Sequence, residues 1–148
     1  MIHVLFTKIL VAFDGSNLSK KALEKAVSLV QEENHISQVR QLDIIHVYHY
    51  PSVASTPYFV DTSASTYIIE QGKTIIEEAK AYVPSTLSVK YVLLQGAPAA
   101  TILQYAEEKH HDLIITGSRG LGPIREFFLG SVSHHIVQNA KVPVLIVK

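Results

Sequence analysis

Glycine and hydroxyl residues are concentrated in one stretch of the sequence, GSRGLGPIREFFLGSVSHH. Gly117 and Gly120 are candidates for phosphate contact, because a residue without a Cβ lets backbone N–H groups approach an anion and has positive φ accessible. Gly130 precedes Ser131 and Ser133 at a predicted helix start, where free N–H groups and the helix dipole favour an anion. The serine hydroxyls add donors. The stretch therefore predicts a phosphate site with two halves.

Neither of the common nucleotide-binding motifs is present in this stretch. A Walker loop requires Lys and Ser or Thr directly after its last glycine, and the dinucleotide fingerprint requires GxGxxG after the first strand. The spacing found instead is Gly117-x2-Gly120-x9-Gly130-Ser131. Glycine spacing alone also suits a structural turn or a flexible joint, so at this level both alternatives stay open.

Histidine and cysteine content does not predict a metal site in this chain. His110 with His111, and His134 with His135, are adjacent pairs. Helix neighbours point about 100° apart, so neither pair can chelate as an i, i+4 pair would. Cysteine is absent, which excludes disulfides and thiolate metal sites and favours a cytoplasmic location.

Short apolar runs alternate along the chain with segments of helical period. KILVAF and LIIT are almost continuously apolar, which is typical of central parallel strands covered on both faces. The predicted strands are residues 8–13, 42–48, 88–94, 113–116 and 142–147. Apolar stripes predict helices over residues 22–30 and 68–83, from Pro98 to Ala106, and from about Ser131 onward.

This alternation predicts an α/β fold, with right-handed crossovers and an open, Rossmann-like parallel sheet of five strands that has helices on both faces. With strand order 3-2-1-4-5, the winding direction reverses between the first and fourth strands, where ligands bind at the carboxyl ends. Asp14 follows the first strand and Gly117 follows the fourth. The turn that contains Asp14 and the glycine-rich segment that begins at Gly117 are therefore predicted to meet at one crevice. A length of 148 residues suits a single domain over residues 1–148.

Charge and hydropathy narrow the classes of partner. The 13 basic and 13 acidic residues cancel, so the chain lacks the positive field that non-specific nucleic-acid binding needs. Lys8 and Asp14 interrupt the apolar N-terminal stretch, which has neither a basic leader nor a cleavage site, and no apolar run is long enough to span a bilayer. We expect neither a nucleic-acid nor a membrane partner.

Two further segments bear on how the site is covered and how the chain associates. Residues 49–65 form the only long predicted connection, and its length suits either a lid or a disordered segment. The last strand, from Val142 to Val147, does not alternate although it would lie at a sheet edge. An uncovered apolar edge favours pairing, so we predict a homodimer through this strand; coverage by the chain's own helices is the alternative.

The sequence resembles universal stress proteins of the ATP-binding type. The resemblance rests on KILVAFDGS, LDIIHVY, DLIITGSRG, LGSVSHHIV and VPVLIVK and covers nearly the whole chain. In that family the G-x2-G-x9-G-(S/T) spacing, complete here, distinguishes the members that bind ATP. Gly122 and Pro123 depart from the small or polar pair usual at those positions but leave the spacing intact.

The resemblance implies a fold like that of adenine-nucleotide α-hydrolases and a site for ATP, with AMP or ADP as related ligands and Mg²⁺ or Mn²⁺ bound through phosphates. Asp14 would hydrogen-bond the ribose or lie beside the adenosine, and the Val47 backbone would read the adenine edge. The other implied contacts are Ala12 near the base and, around the phosphates, Gly117, Arg119, Gly120, Gly130, Ser131, Val132 and Ser133.

The function implied by the resemblance is nucleotide-dependent stress or signalling regulation, with slow ATP hydrolysis or autophosphorylation compatible with it. No catalytic residue is predicted, because binding phosphates differs from stabilising a transition state. One alternative is an enzyme that hydrolyses or adenylylates nucleotides, although FDGSNLS is not the SGGxDS-type loop of such relatives. Another is a dimeric interaction module in which the nucleotide is structural.

Each implied contact also has a purely structural alternative. Asp14 could only cap its own turn, and Ser131 could only cap a helix. Arg119 and Arg125 could be ordinary surface charges.

Overall fold

The computed structural model describes residues 5–32, 41–49, 62–121 and 129–148. In chain order the elements are β1 (Lys8–Ala12), α1 (Asn17–Glu32), β2 (Gln41–Tyr48), α2 (Thr62–Lys80), β3 (Val89–Gln95), α3 (Pro98–Glu108), β4 (Leu113–Gly117), α4 (Ser131–Asn139) and β5 (Val144–Val147). The strands form one sheet of order β3-β2-β1-β4-β5, and all its pairs are parallel, so the predicted α/β fold is confirmed.

Most element boundaries differ from the predictions by a few residues, and three of the differences have a visible cause or consequence. Phe13 lies beyond β1, and β5 begins at Val144 rather than Val142, since Pro143 has no N–H to give to the ladder. The helix α2 begins at Thr62, so residues 62–65 of the predicted connection are helical. Residues 50–61, on which the lid or disorder prediction depends, lie outside the described residues.

Helices cover both faces of the sheet and divide the core into two layers. On one face Ile9, Val11 and Ile44 pack with Leu23 of α1 and Ala79 of α2. On the opposite face, the buried side chains come from the sheet and from helices α3 and α4: Leu10, Ile45, Ile114, Ile102 and Ile136. The central strands β1 and β4 are apolar on both sides because each side meets a helix layer.

The two edge strands are only partly covered in a single chain. In β3 only Val92 is buried, which agrees with the predicted half-exposed edge. Leu145 of β5 is 36% exposed and Val137 of the neighbouring helix α4 is 45% exposed. No helix formed by the described residues is long and apolar enough to cross a bilayer.

A buried polar cluster lies near the amino ends of the strands and consists of Asp43, Tyr105 and His111, with the partly buried Gln41 at its edge. The Asp43 carboxylate accepts hydrogen bonds from Nε2 of Gln41 at 2.7 Å, the hydroxyl of Tyr105 at 3.1 Å and Nε2 of His111 at 3.0 Å. Burial and the Asp43 carboxylate raise the pKa of Tyr105 to about 12. Burial lowers the pKa of His111, although Asp43 acts in the opposite direction.

The turn after α3 places His111 in this cluster. The N–H of His111 donates to the carbonyl of Ala106 and the N–H of His110 donates to that of Glu107, the paired bonds that end many helices. His110 adopts a φ of 59°, a left-handed conformation that glycine usually occupies at this position.

Candidate functional site

A cavity of about 840 Å³ opens at the carboxyl ends of β1, β2 and β4, where the winding direction of the sheet reverses. Every residue predicted to contact a nucleotide lines it: Ala12, Asp14, Val47, Gly117, Arg119, Gly120, Gly130, Ser131, Val132 and Ser133. The fold therefore brings together residues from β1, β2, β4 and α4 that are distant in the sequence. Gly122, Pro123 and Arg125 lie outside the described residues.

Asp14 lies in a tight turn that connects β1 to α1. Gly15 has a φ of +81°, which a residue with a Cβ rarely adopts. Oδ1 of Asp14 accepts a hydrogen bond from the N–H of Ser16 at 2.9 Å, and Oγ of Ser16 accepts from the N–H of Ser19 to cap α1. Asp14 therefore stabilises its own turn, and this role uses only one carboxylate oxygen.

The second carboxylate oxygen of Asp14 lies against Gly120. A Cβ on Gly120 would overlap Oδ2 of Asp14, so the absence of a side chain makes room for the carboxylate. Asp14 and Gly120 thereby face each other across the crevice between β1 and β4. This steric reason for a glycine could not be read from the spacing of the glycines.

Gly117 is required by helix packing, which differs from its predicted rationale. A Cβ on Gly117 would lie 2.9 Å from Cβ and 3.0 Å from the carbonyl carbon of Leu18, at the start of α1. Neither Gly117 nor Gly120 uses positive φ; among the described glycines it occurs at Gly15 and Gly96. Gly117 therefore allows α1 to approach β4 and closes one wall of the cavity.

The start of helix α4 lines the cavity beside the segment that follows β4. Gly130 is the N-cap, with φ −69° and ψ 166°, so the alternative that Ser131 caps the helix is wrong. The N–H of Gly130 donates to the carbonyl of Ser118 at 2.7 Å, and the first helical bond runs from His134 to Gly130. No described residue accepts from the N–H groups of the three residues between them, Ser131, Val132 and Ser133.

The hydroxyl of Ser133 has a structural role in place of the predicted ligand contact. It is buried, and its Oγ lies 2.8 Å from the carbonyl oxygen of Ser118 and 3.1 Å from that of Gly130. Since both partners only accept, the hydroxyl proton is directed into the protein. Ser133 can still offer its backbone N–H to a ligand, and its hydroxyl ties the start of α4 to the end of β4.

The cavity has two chemically different halves. Side chains of Ile45, Val47, Pro98 and Ile102 form an apolar wall, while the start of α4 contributes N–H groups to the lining. Arg119 is exposed at the rim and forms no ion pair with any described residue. The described residues contain no group of three or more His, Asp or Glu side chains that could hold a metal ion. The arrangement suits a ligand with an apolar ring and an anionic tail.

His46 is the main residue of the cavity to which the sequence assigned no role. Its Nδ1 lies 2.9 Å from the carbonyl oxygen of Phe13. Burial lowers the pKa of His46, while the Phe13 carbonyl and the Asp14 carboxylate act in the opposite direction. The sequence feature that could have indicated His46 is a polar residue inside an apolar strand, directly before Val47.

Comparison with known proteins gives consistent results over almost the whole chain. The sequence model of the Universal stress protein family matches residues 5–148. Universal stress protein YxiE of Bacillus subtilis (strain 168) is 36% identical over 154 aligned residues, which cover 97% of this chain and 100% of that protein.

Solved structures of such proteins have the same fold. Universal stress protein UspA from Lactobacillus plantarum matches with a TM-score of 0.79 and 23% identity, over 99% of this chain and 100% of that one. A universal stress protein in complex with cAMP matches with a TM-score of 0.66 and 25% identity, over 97% of this chain and 98% of that one.

Proposed function

Because this chain belongs to the universal stress protein family, we propose that it binds ATP in the cavity between β1 and β4 and acts as a nucleotide-dependent stress or signalling regulator. The observation that carries the proposal is one cavity that combines an apolar wall with three N–H groups at the start of α4 that have no acceptor among the described residues. The structural relative in complex with cAMP supports an adenine nucleotide as the ligand class. AMP and ADP contain the same adenosine and are expected to bind as well.

The adenine ring would lie against Ala12 and Val47. The carbonyl of Ile45 accepts from the N–H of Phe13, the last backbone bond between β1 and β2. Backbone groups of alternate residues point to the same side of a strand, so the N–H and C=O of Val47 also point toward β1, which has turned away. These two groups would therefore be available to read the adenine edge.

The ribose and phosphates would follow toward α4. Oδ2 of Asp14 is the oxygen that Ser16 does not use, and it would accept from a ribose hydroxyl. The N–H groups of Ser131, Val132 and Ser133 and the positive end of the α4 dipole would bind phosphates, with Gly120 allowing close approach and Arg119 adding charge. Mg²⁺ or Mn²⁺ would be bound through phosphate oxygens and water.

A homodimer through β5 and a cytoplasmic location are parts of the same proposal. The exposed Leu145 on the edge strand and Val137 beside it support pairing with a second copy. Leu145→Lys places a charge on that edge, which should prevent two copies from pairing. The mass of this variant in solution, measured by light scattering, should be that of a monomer. A wild-type protein that is monomeric at the same concentration would contradict the dimer.

Analysis of the bound nucleotide tests the ligand. The purified protein is denatured and its supernatant is separated by ion-exchange chromatography, and ATP binding to the emptied protein is measured by calorimetry. We expect an adenine nucleotide in the supernatant and saturable binding of added ATP. A protein that is reproducibly empty and does not bind added ATP would overturn the proposal.

A matched pair of glycine variants tests the location. Gly120→Ala should weaken ATP binding roughly tenfold or more, because the new Cβ displaces the Asp14 carboxylate. Gly72→Ala is the control, since its Cβ would meet the flexible end of Leu93 away from the cavity. Equal affinities for the two variants would place the nucleotide elsewhere.

The fate of the nucleotide separates a regulator from an enzyme. ATP that stays intact for hours on the protein supports a binding switch. Rapid turnover that is lost in Ser131→Ala would instead assign the nucleotide-hydrolysing alternative.

A further inference from the structure

A side chain continues the pairing of β1 and β2 at the point where the strands separate. The register runs from Lys8 opposite Gln41 to Ala12 opposite Ile45. Beyond Ala12 the N–H of Phe13 still bonds to the carbonyl of Ile45, at 2.9 Å. The carbonyl of Phe13, which no longer faces a backbone donor, bonds instead to Nδ1 of His46, also at 2.9 Å.

The chemistry of this contact defines the state of the ring. A backbone carbonyl only accepts, so Nδ1 of His46 must carry the hydrogen. Burial lowers the pKa of His46, with the Phe13 carbonyl and the Asp14 carboxylate opposing. At neutral pH the imidazole therefore has a single N–H, and that N–H is bound to Phe13.

The carbonyl of Phe13 belongs to the peptide group that joins Phe13 to Asp14. On the other side of Asp14, Oδ1 accepts from the N–H of Ser16 at 2.9 Å, across the left-handed Gly15. The Asp14 backbone is thus held by His46 and its side chain by Ser16. Together these bonds restrain the carboxylate, so Oδ2 stays against Gly120 within the crevice.

We propose that His46 is a positioning residue of the nucleotide site, which holds the peptide before Asp14 so that Oδ2 meets the ribose hydroxyls of the nucleotide. The inference rests on the proposed function, since it acts through the contact between Asp14 and ribose. His46 itself touches the protein through Nδ1 and needs no direct bond to the ligand.

The test compares affinities for ATP and for 2′,3′-dideoxy-ATP, which has the same base and triphosphate but neither ribose hydroxyl. Wild-type protein should prefer ATP roughly tenfold or more, the value of one hydrogen bond to a carboxylate. His46→Leu should reduce this preference to nearly one, because the turn is no longer anchored. His46→Asn should retain it, because the asparagine Nδ2 occupies the place of the histidine Nδ1.

A purely structural role for His46 predicts a different result. General loosening would weaken both nucleotides equally and leave their ratio unchanged, and that outcome in His46→Leu would overturn the inference. If His46→Leu does not fold, His46→Gln is the substitute, since its amide places the donor at the position of Nε2. The double variant of His46→Leu and Asp14→Ala should have the same ratio of ATP to dideoxy-ATP affinity as Asp14→Ala alone. Both changes remove the same contact, the one between Asp14 and the ribose.

Failure of the inference and failure of the proposed function give different results. Wild-type protein that binds neither nucleotide would overturn the proposed function. Wild-type protein that prefers ATP, with the same preference in His46→Leu, would overturn only the role of His46. Independently of nucleotide, ¹⁵N NMR of the free protein should show the Nδ1–H tautomer of His46; the Nε2–H tautomer would contradict the inference.

Discussion

Polar residues gather at both ends of the sheet, and the two groups differ in how far the protein itself supplies their hydrogen-bond partners. At the amino ends, the Asp43 carboxylate accepts hydrogen bonds from three side chains in the buried polar cluster. Nδ1 of His111 is the exception there, a buried atom with no partner among the described residues. At the carboxyl ends, one oxygen of Asp14 and three N–H groups of α4 have no acceptor or donor among the described residues. Each group contains a histidine whose pKa is lowered by burial, His111 and His46 respectively.

The difference distinguishes a structural network from a candidate binding site. Buried polar groups that bond to each other stabilise the fold and leave few atoms for a ligand. Polar groups that line a cavity without partners bond to water until a ligand replaces it. The presence of a histidine and an aspartate therefore does not identify a site, whereas the state of their hydrogen bonds does.

The largest effect is expected from Asp43→Ala, which removes the shared acceptor of the buried polar cluster. Three donors would lose their partner, and two of them, on Tyr105 and His111, are buried. Each unsatisfied buried group costs about 1–3 kcal/mol, so the free energy of unfolding should fall by about 3 kcal/mol or more. Urea denaturation measures this loss. Tyr105→Phe is the milder control, because it removes one donor and should cost about a third as much.

If the buried polar cluster is structural, ATP affinity of folded Asp43→Ala should match that of wild type. A large loss of affinity without loss of stability would show that the two ends of the sheet are not independent.

Gly117→Ala and Gly120→Ala together distinguish a cavity glycine needed for helix packing from one needed for ligand binding. In Gly117→Ala the new Cβ would meet Cβ and the carbonyl carbon of Leu18, and overpacking of this kind costs about 1–3 kcal/mol. Gly120→Ala should be less destabilising, because its Cβ meets only the end of the Asp14 side chain. Urea midpoints in the reverse order would contradict this assignment of the two glycines.

Acid should destabilise the protein through both histidines. Because the folded state lowers the pKa values of His46 and His111, the unfolded chain binds protons first as pH falls below the ordinary value of 6.5. Stability is therefore lost between 6.5 and the lower folded pKa values, by at most about 1.4 kcal/mol per pH unit for each proton. Urea midpoints measured across this range test the slope.

His111→Gln measures how much the buried polar cluster contributes to the dependence of stability on pH. The glutamine amide can replace the Nε2 donor to Asp43 but does not titrate, so the slope should become shallower. His46→Asn should do the same for the cavity, and a slope unchanged in both variants would mean that neither histidine is responsible.

The smallest effect is expected at the turn that leads into the buried polar cluster. His110→Gly relieves a left-handed conformation but adds freedom to the unfolded chain, so a net gain of about 0.5 kcal/mol is expected from thermal unfolding. Lys109→Gly is the control, since its φ of −96° suits any residue and glycine brings no relief there. Equal effects of the two substitutions would show that the His110 backbone is not strained.

Much of the fold could be predicted because its signals are local. Apolar runs bounded by turns indicated all five strands, and Pro98 marked the start of α3. Boundary errors occurred where a contact with a distant residue ends an element. At Phe13, for example, the carbonyl bonds to a histidine of the next strand. The positions of the site residues followed in the same way, because the carboxyl ends of parallel strands share one edge.

The roles of individual residues were less predictable. The spacing of Gly117 and Gly120 suggested one common purpose, but one glycine accommodates Leu18 and the other the Asp14 carboxylate. Ser133 carries a hydroxyl at a helix start, and only the position of the Ser118 carbonyl shows that its proton points into the protein.

By itself, the sequence determined the order of helices and strands, the parallel topology and the crevice in which glycine, serine and aspartate meet, because periodicity and handed crossovers act over short stretches of chain. Tertiary structure alone decided which polar groups of the described residues find a partner within the protein. His46 bonds to a residue 33 positions away and His111 to one 68 positions away. Such partners are chosen by packing in three dimensions, so no local pattern records them.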